Sequence, residues 1–234
     1  MQNIKNKVAL ITGATKGIGY GIAEALIKQG VKVAITSRTQ ESADEAAKKL
    51  GNGTLGLAAD VKDFASQQQA VNEVIKEFGG LDILVANAGV GHFAPIEEIT
   101  LEQWHETIET NLTGVFYSIK ASVDAIKKAQ GYIITISSLA GTNFFENGSA
   151  YNASKFGLTG FTQAVMLDLR KHGVKVSTIM PGSVATHFNH HQPNQEKDAW
   201  KIQPEDLGQL VSDLLMMHPR TLPSKIEIRP TKTS

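Results

Sequence analysis

Cysteine is absent from the 234 residues, so the fold uses no disulfide and the chemistry no thiolate. A net charge is missing as well: 23 basic side chains face 23 acidic ones, which leaves no global field to hold nucleic acid or an anionic membrane. A small neutral or locally anionic ligand is the better expectation. There is also no long apolar run. The uncharged, apolar-rich stretch 130–145 is interrupted by Thr, Ser and Asn and falls short of the roughly 18 apolar residues of a membrane helix. The apolar run from Val8 to Ile11 is too short for the core of an export signal. These absences point to a soluble cytoplasmic protein with neither a nucleic-acid nor a membrane partner. What is present is ordinary for a globular chain: 41% hydrophobic residues and 21 glycines, enough to fill a core in one large domain.

Short apolar runs of strand length alternate with longer segments of helical period, a pattern that predicts a parallel sheet covered by helices. The expected strands are Val8–Thr12, Val31–Thr36, Thr54–Ala58, Ile83–Ala86, Ile133–Ser137, Val174–Ile179 and Ile226–Ile228. The expected helices are Ile18–Gln29, Ser42–Leu50, Phe64–Phe78, Leu101–Ala129, Ser149–Lys171 and Pro204–Met217, with Ser42 and Thr100 as start signals. Strand segments such as 8–12 and 81–86 are apolar at consecutive positions, as expected when both sheet faces are covered. The stretch 183–203 is polar and without period, so it reads as a loop within a single α/β domain.

The first strand runs straight into Thr12-Gly13-Ala14-Thr15-Lys16-Gly17-Ile18-Gly19 and then a helix. Glycines at 13, 17 and 19 allow a tight turn and a close approach to the helix N-terminus, where backbone N–H groups and the helix dipole favour a pyrophosphate. A glycine cluster alone also fits a plain turn. After the second strand, where an acid usually meets the ribose hydroxyls, the chain reads Thr36-Ser37-Arg38. Arg38, with Lys16 in the glycine turn, would pair with a ribose 2′-phosphate and favour NADP(H) over NAD(H); otherwise the two are solvated surface charges. Asp60-Val61 and Asn87-Ala88-Gly89, at the ends of the third and fourth strands, complete a rim at the carboxyl edge of the sheet.

Tyr151 and Lys155 are four residues apart on an expected helix, so both lie on one face. A cation beside a phenol favours tyrosinate and would pull its pKa down from about 10, the tuning a general acid–base needs. An incidental surface pair has the same spacing. Ser138 ends the fifth strand 13 residues upstream of Tyr151, a placement that can bring two hydroxyls onto one substrate oxygen.

Together, the turn from Thr12 to Gly19, Asn87-Ala88-Gly89, Asn111, Ser138, Tyr151 with Lys155, and Pro181-Gly182 followed by Thr186 resemble, in order and spacing, the motif set of the short-chain dehydrogenase/reductase family. The resemblance spans residues from about 4 to 186. It implies a single-domain Rossmann fold over 1–234, doubly wound around a seven-stranded parallel sheet, with a variable substrate loop at about 183–203. It further implies hydride transfer between a nicotinamide and a carbonyl or alcohol carbon. Tyr151 would be the general acid–base, Ser138 would hold the substrate oxygen, and Lys155 would bind the nicotinamide ribose and acidify Tyr151. Asn111 would support a proton relay to Lys155. The cofactor contacts it implies are Gly13, Thr15, Lys16, Gly17, Ile18, Gly19, Ser37, Arg38, Asp60, Val61, Asn87, Ala88, Gly89, Tyr151, Lys155, Pro181, Gly182, Val184 and Thr186.

Three functions compete on these residues. The first is NADP(H)-dependent reduction of a small ketone or aldehyde. The second is 3-oxoacyl acyl-carrier-protein reduction, for which Lys127, Lys128, Arg170 and Lys171 are available to meet the acidic carrier at the cleft mouth, though they read equally well as solvated helix ends. The third is a catalytically silent NADP(H)-binding sensor. His187, His190 and His191 lack companion carboxylate or thiolate ligands and are not read as a metal site. The small face of the Tyr151 helix (Ala150, Ala153, Gly157, Gly160) suits close packing against another helix in a homodimer or homotetramer. The segment 222–230 supplies a last strand but lacks the glycine-rich ending common in the family.

Overall fold

The computed structural model describes residues 2–232; Met1 and residues 233–234, the ends of the expected domain, lie outside the described residues. Strands and helices alternate along the chain: β1 (Val8–Ile11), α1 (Gly17–Lys28), β2 (Lys32–Ser37), α2 (Gln40–Leu50), β3 (Leu55–Ala58), α3 (Phe64–Phe78), β4 (Ile83–Ala86), α4 (Leu101–Ile108), α5 (Gly114–Ala129), β5 (Tyr132–Ile136), α6 (Ser149–Leu169), β6 (Lys175–Pro181), α7 (Pro204–Met216) and β7 (Lys225–Ile228). All seven strands pair in parallel in the order β3-β2-β1-β4-β5-β6-β7.

Consecutive apolar residues in the strands serve two cores. Ala9 and Ile11 pack on one face with Ile22 and Leu26 of α1 and Leu207 and Val211 of α7. Val8 and Leu10 pack on the other with Val71 and Val74 of α3, Ile119 of α5 and Leu158 of α6. The period-two geometry of a strand sends alternate side chains to opposite faces, so a sheet covered on both sides needs apolar residues at every position. Each fully buried Leu or Ile, such as Leu26, stabilises the fold by about 1.5–3 kcal/mol.

The strand order reverses between β1 and β4. Loops leaving their carboxyl ends therefore diverge to opposite faces and open a crevice, the place where sheets of this type bind ligands.

Two helix expectations need correction. The expected helix Leu101–Ala129 is broken by a π-turn at Glu109–Thr113, which inserts an extra residue per turn and aims Asn111 at the β4 loop. The second helix starts at Gln40 rather than Ser42: Thr39 is its N-cap and Ser42 donates its backbone N–H to the Thr39 hydroxyl at 3.3 Å. By contrast, Thr100 caps α4 as read, in a reciprocal box with Gln103. The stretch 183–203 is irregular as expected, yet it carries a parallel bridge between Val184 and Ile202 and a short 3₁₀ turn at Phe188–His190.

Candidate functional site

The crevice starts at Thr12. Its hydroxyl accepts the backbone N–H of Asn87 at 3.0 Å and of Ala88 at 3.2 Å, tying the ends of β1 and β4 together. Asn87 returns the contact, its amide donating to the carbonyls of Thr12 and Gly13 at 2.9 and 3.0 Å. Gly13 and Gly17 have φ of +62° and +61°, a backbone region that suits glycine. Space excludes a side chain as well: a Cβ on Gly19 would stand 2.5 Å from the Asn87 amide nitrogen, and one on Gly13 would stand 2.9 Å from the Ala88 Cα. The N-terminus of α1 has no side-chain cap and no acid in its first turn, which leaves its N–H groups and positive dipole end turned to the crevice. On the far side Thr186 closes against the same turn, since a Cβ on Gly17 would lie 3.3 Å from its methyl.

The outer rim carries the two cations. Lys16 and Arg38 are both exposed, and among the described residues neither has an ion-pair partner. Ser37 is half-buried beside Arg38, Val61 is buried, and Asp60 turns its carboxylate to the backbone N–H of Lys62 at 2.9 Å. Pro181 is buried at the end of β6, and Gly182 donates its N–H to the Ile228 carbonyl at 2.8 Å.

One strand over, Ser138 N-caps a 3₁₀ turn at Leu139–Gly141, its hydroxyl accepting the Ala140 N–H at 3.1 Å. Tyr151 and Lys155 enter from α6, one turn apart and both buried. The Lys155 ammonium lies 5.7 Å from the Tyr151 ring centroid and donates to the Ile136 carbonyl at 3.0 Å. Asn111, fully buried on the π-turn, donates to the Val90 carbonyl at 2.8 Å and the Ser154 hydroxyl at 3.0 Å and accepts the Val90 N–H at 2.8 Å. A Cβ on Gly89 would lie 3.3 Å from the Asn111 side-chain oxygen and 3.8 Å from the Lys155 ammonium. The two polar groups therefore face each other across Gly89, without a direct hydrogen bond between them.

The electrostatics depart from the simple expectation that Lys155 acidifies Tyr151. Burial pushes the Tyr151 phenol up to about 12, and a hydrogen bond with Ser138 pulls the other way without reversing it. Burial also lowers Lys155 to about 8. Desolvation penalises whichever form is charged, and at Tyr151 it outweighs the opposing pull of Ser138. The Tyr151 phenol is thus held protonated at neutral pH.

Several elements escaped sequence reasoning. Phe93, Phe145 and Phe188 surround Tyr151 with ring centroids 5.3, 6.5 and 5.6 Å away. Their only sequence signal was an aromatic in each loop after β4, β5 and β6. Asp198 is buried in the irregular segment, accepting Lys201 at 2.6 Å, His191 at 2.7 Å and the Asn194 N–H at 2.9 Å; these contacts hold its carboxyl well below the usual range. His191 is thereby engaged and His187 is exposed, while the His190 side chain lies outside the described residues. The basic residues assigned to a carrier protein are misplaced. Lys127 and Lys128 end α5 just before β5, and Arg170 and Lys171 follow α6 just before β6, so all four sit at the amino edge of a parallel sheet, opposite the crevice.

A glycine turn at the reversal point of a Rossmann-type sheet, with a buried Tyr–Lys pair beside it, defines the class as α/β oxidoreductases. The chain belongs to the short chain dehydrogenase family, whose model matches residues 7–197. It is 38% identical over 192 residues to trans-4-hydroxycyclohexanecarboxylate dehydrogenase of Sinomonas cyclohexanicum, covering 78% of this chain and 74% of that protein. It is 36% identical over 202 residues to a 3-oxoacyl-(acyl-carrier-protein) reductase of Vibrio cholerae, covering 86% and 83%. Among solved structures, an alcohol dehydrogenase from the archaeon Thermococcus sibiricus complexed with 5-hydroxy-NADP superposes with a TM-score of 0.91 at 29% identity, covering 97% of this chain and 98% of that one. A 3-ketoacyl-(acyl-carrier-protein) reductase from Brucella melitensis complexed with NADH gives 0.88 at 26%, with the same coverage.

Proposed function

We propose that the protein interconverts a carbonyl and an alcohol with a nicotinamide dinucleotide, NADP(H) by preference, and that Tyr151 is its general acid–base. The observation that carries this reading is the buried Tyr151 phenol, one helical turn from Lys155 and with the Ser138 hydroxyl acting on its titration. The cradle of Gly13, Gly17 and Gly19, which added side chains would fill, and the uncapped α1 N-terminus fit the pyrophosphate of such a dinucleotide. When bound, that group supplies the hydride for the carbonyl carbon.

The chain's own residues do the rest. Ser138 and Tyr151 hold the substrate oxygen, and the Tyr151 hydroxyl gives it a proton as the carbonyl π bond is reduced, leaving a tyrosinate beside the Lys155 ammonium. Asn111, across Gly89 from that ammonium, marks the route by which a proton returns from solvent. Oxidation of the alcohol runs these transfers in reverse. Lys16 and Arg38, with no ion-pair partner among the described residues, are the groups for a 2′-phosphate; Ser37 would contribute its hydroxyl. Thr15, Ile18, Asp60, Val61, Asn87, Ala88, Pro181, Gly182, Val184 and Thr186 complete the proposed cofactor walls, and 183–203 is the substrate loop.

The absence of cysteine suits a cytoplasmic enzyme. A Cβ on Gly160 of α6 would meet nothing within 4 Å, which leaves room there for a second copy in a homodimer or homotetramer. Reduction of an acyl thioester on a carrier protein is the alternative that the Vibrio cholerae relative favours. Consumption of NADPH and NADH with ketones, aldehydes and acyl thioesters tests the proposal. Turnover with NADPH favoured is expected; cofactor binding with no turnover on any carbonyl would make the protein a silent sensor.

A further inference from the structure

Phe93, Phe145 and Phe188 come from three different loops at the carboxyl edge and converge on one phenol. Phe93 also contacts the other two, at 5.6 and 6.3 Å between centroids. They are 37%, 47% and 37% exposed, so part of each ring is open to solvent. Gly91 makes the arrangement possible, because a Cβ there would stand 2.5 Å from the tip of the Phe188 ring and 3.0 Å from that of Phe93. An exposed aromatic wall around a buried proton donor is a surface that a flat apolar body would cover.

Two polar side chains near this wall, His92 and Asn152, are already engaged. His92 is bound to Glu106 at 2.8 Å. The Asn152 amide donates to the carbonyls of Ala140 and Asn143, both at 2.8 Å, and its oxygen accepts the Phe145 N–H at 3.4 Å. No Lys or Arg lies within five residues of any of the three phenylalanines, whereas Glu97, Glu98 and Glu146 do. The loops that carry the wall therefore bring no Lys or Arg for a carboxylate or a phosphopantetheine phosphate, and the Lys155 ammonium is buried and turned to the Ile136 carbonyl.

We propose that the substrate is an uncharged cyclic ketone, alicyclic or aryl, whose ring is held by Phe93, Phe145 and Phe188 while its oxygen meets Ser138 and Tyr151. The proposal rests on the carbonyl-reductase reading above and names the substrate class of that site.

The test is kcat/KM with NADPH and with NADH for cyclohexanone and 1-tetralone, against acetoacetyl thioester and dihydroxyacetone. Ring ketones are expected to lead by at least about tenfold. Phe93→Leu and Phe188→Leu, with folding checked by NADPH fluorescence titration, are expected to lower the ratio of ring to acyclic substrate by about tenfold, mainly through KM. A thioester or polyol equal to or better than the ring ketones, or an unchanged ratio in both variants, overturns the cyclic-ketone proposal and leaves the reductase reading standing. No turnover of any carbonyl by the wild-type enzyme overturns both.

Discussion

The two halves of the crevice are built by different means. On the β1–β2 side the binding surface is mostly backbone: positive-φ glycines, an uncapped helix end and a hydroxyl clamp from Thr12 to Asn87 and Ala88. On the β5–β6 side it is mostly side chain, with a phenol, an ammonium and three phenylalanines brought in from α6 and three loops. Backbone surfaces tolerate almost no added atoms. Side-chain surfaces can change their lining and keep their fold, so specificity for the varying part of a reaction is placed there.

That contrast can be broken from either side. Gly19→Val should be the most damaging change, because its side chain would start 2.5 Å from the Asn87 amide. We expect cofactor binding to weaken by at least about a hundredfold in a fluorescence titration, with folding checked by circular dichroism. Normal affinity in a folded variant would show that the turn is not the cradle. Lys155→Met sharpens the other side by separating stability from chemistry. Burial holds Lys155 near 8, so between that value and its ordinary 10.5 the unfolded chain binds more protons than the native one. Stability of the ligand-free wild type should therefore rise with pH across that window, until the buried phenols Tyr132 and Tyr151, both raised to about 12, reverse the trend above pH 10. The variant should lose the rise and melt about 5 °C higher at pH 7, while kcat falls by about a hundredfold or more. A lower melting temperature would mean that the ammonium is a structural asset.

Arg38→Asp acts at the rim and should be milder, moving the NADPH-to-NADH ratio of kcat/KM about tenfold toward NADH. An unchanged ratio removes Arg38 from the site. The smallest effect is expected from Asp198→Asn, which loosens the anchor of the irregular segment on Lys201 and His191. KM for the carbonyl should rise about threefold with kcat unchanged, and an equal loss in both would place Asp198 nearer the chemistry.

Legibility in the sequence follows the same division. The alternating pattern was enough for seven parallel strands because both sheet faces are covered, and the glycine turn and the Tyr151–Lys155 pair are local spacings readable without tertiary contacts. The π-turn at Glu109–Thr113 was invisible, since the contact that goes with it, Asn111 to Val90, is made across 21 residues of sequence. The aromatic wall was hidden for the same reason: only the topology brings Phe93, Phe145 and Phe188 together. Charge placement was ambiguous in one case. Lys127, Lys128, Arg170 and Lys171 read either as a patch at the mouth or as solvated helix ends, and a parallel sheet, which puts the ends of its crossover helices at the edge opposite the crevice, leaves the second. The sign of the Tyr151 shift was also missed, because spacing reports the nearby cation but not the depth of burial.

The central claim is that the Tyr151 hydroxyl delivers the proton. Comparing wild type with Tyr151→Phe, by carbonyl turnover and NADPH dissociation constant on the same samples, tests it most directly. The account predicts a loss of about a thousandfold in kcat with affinity for NADPH within about threefold. Turnover within tenfold of wild type would contradict it.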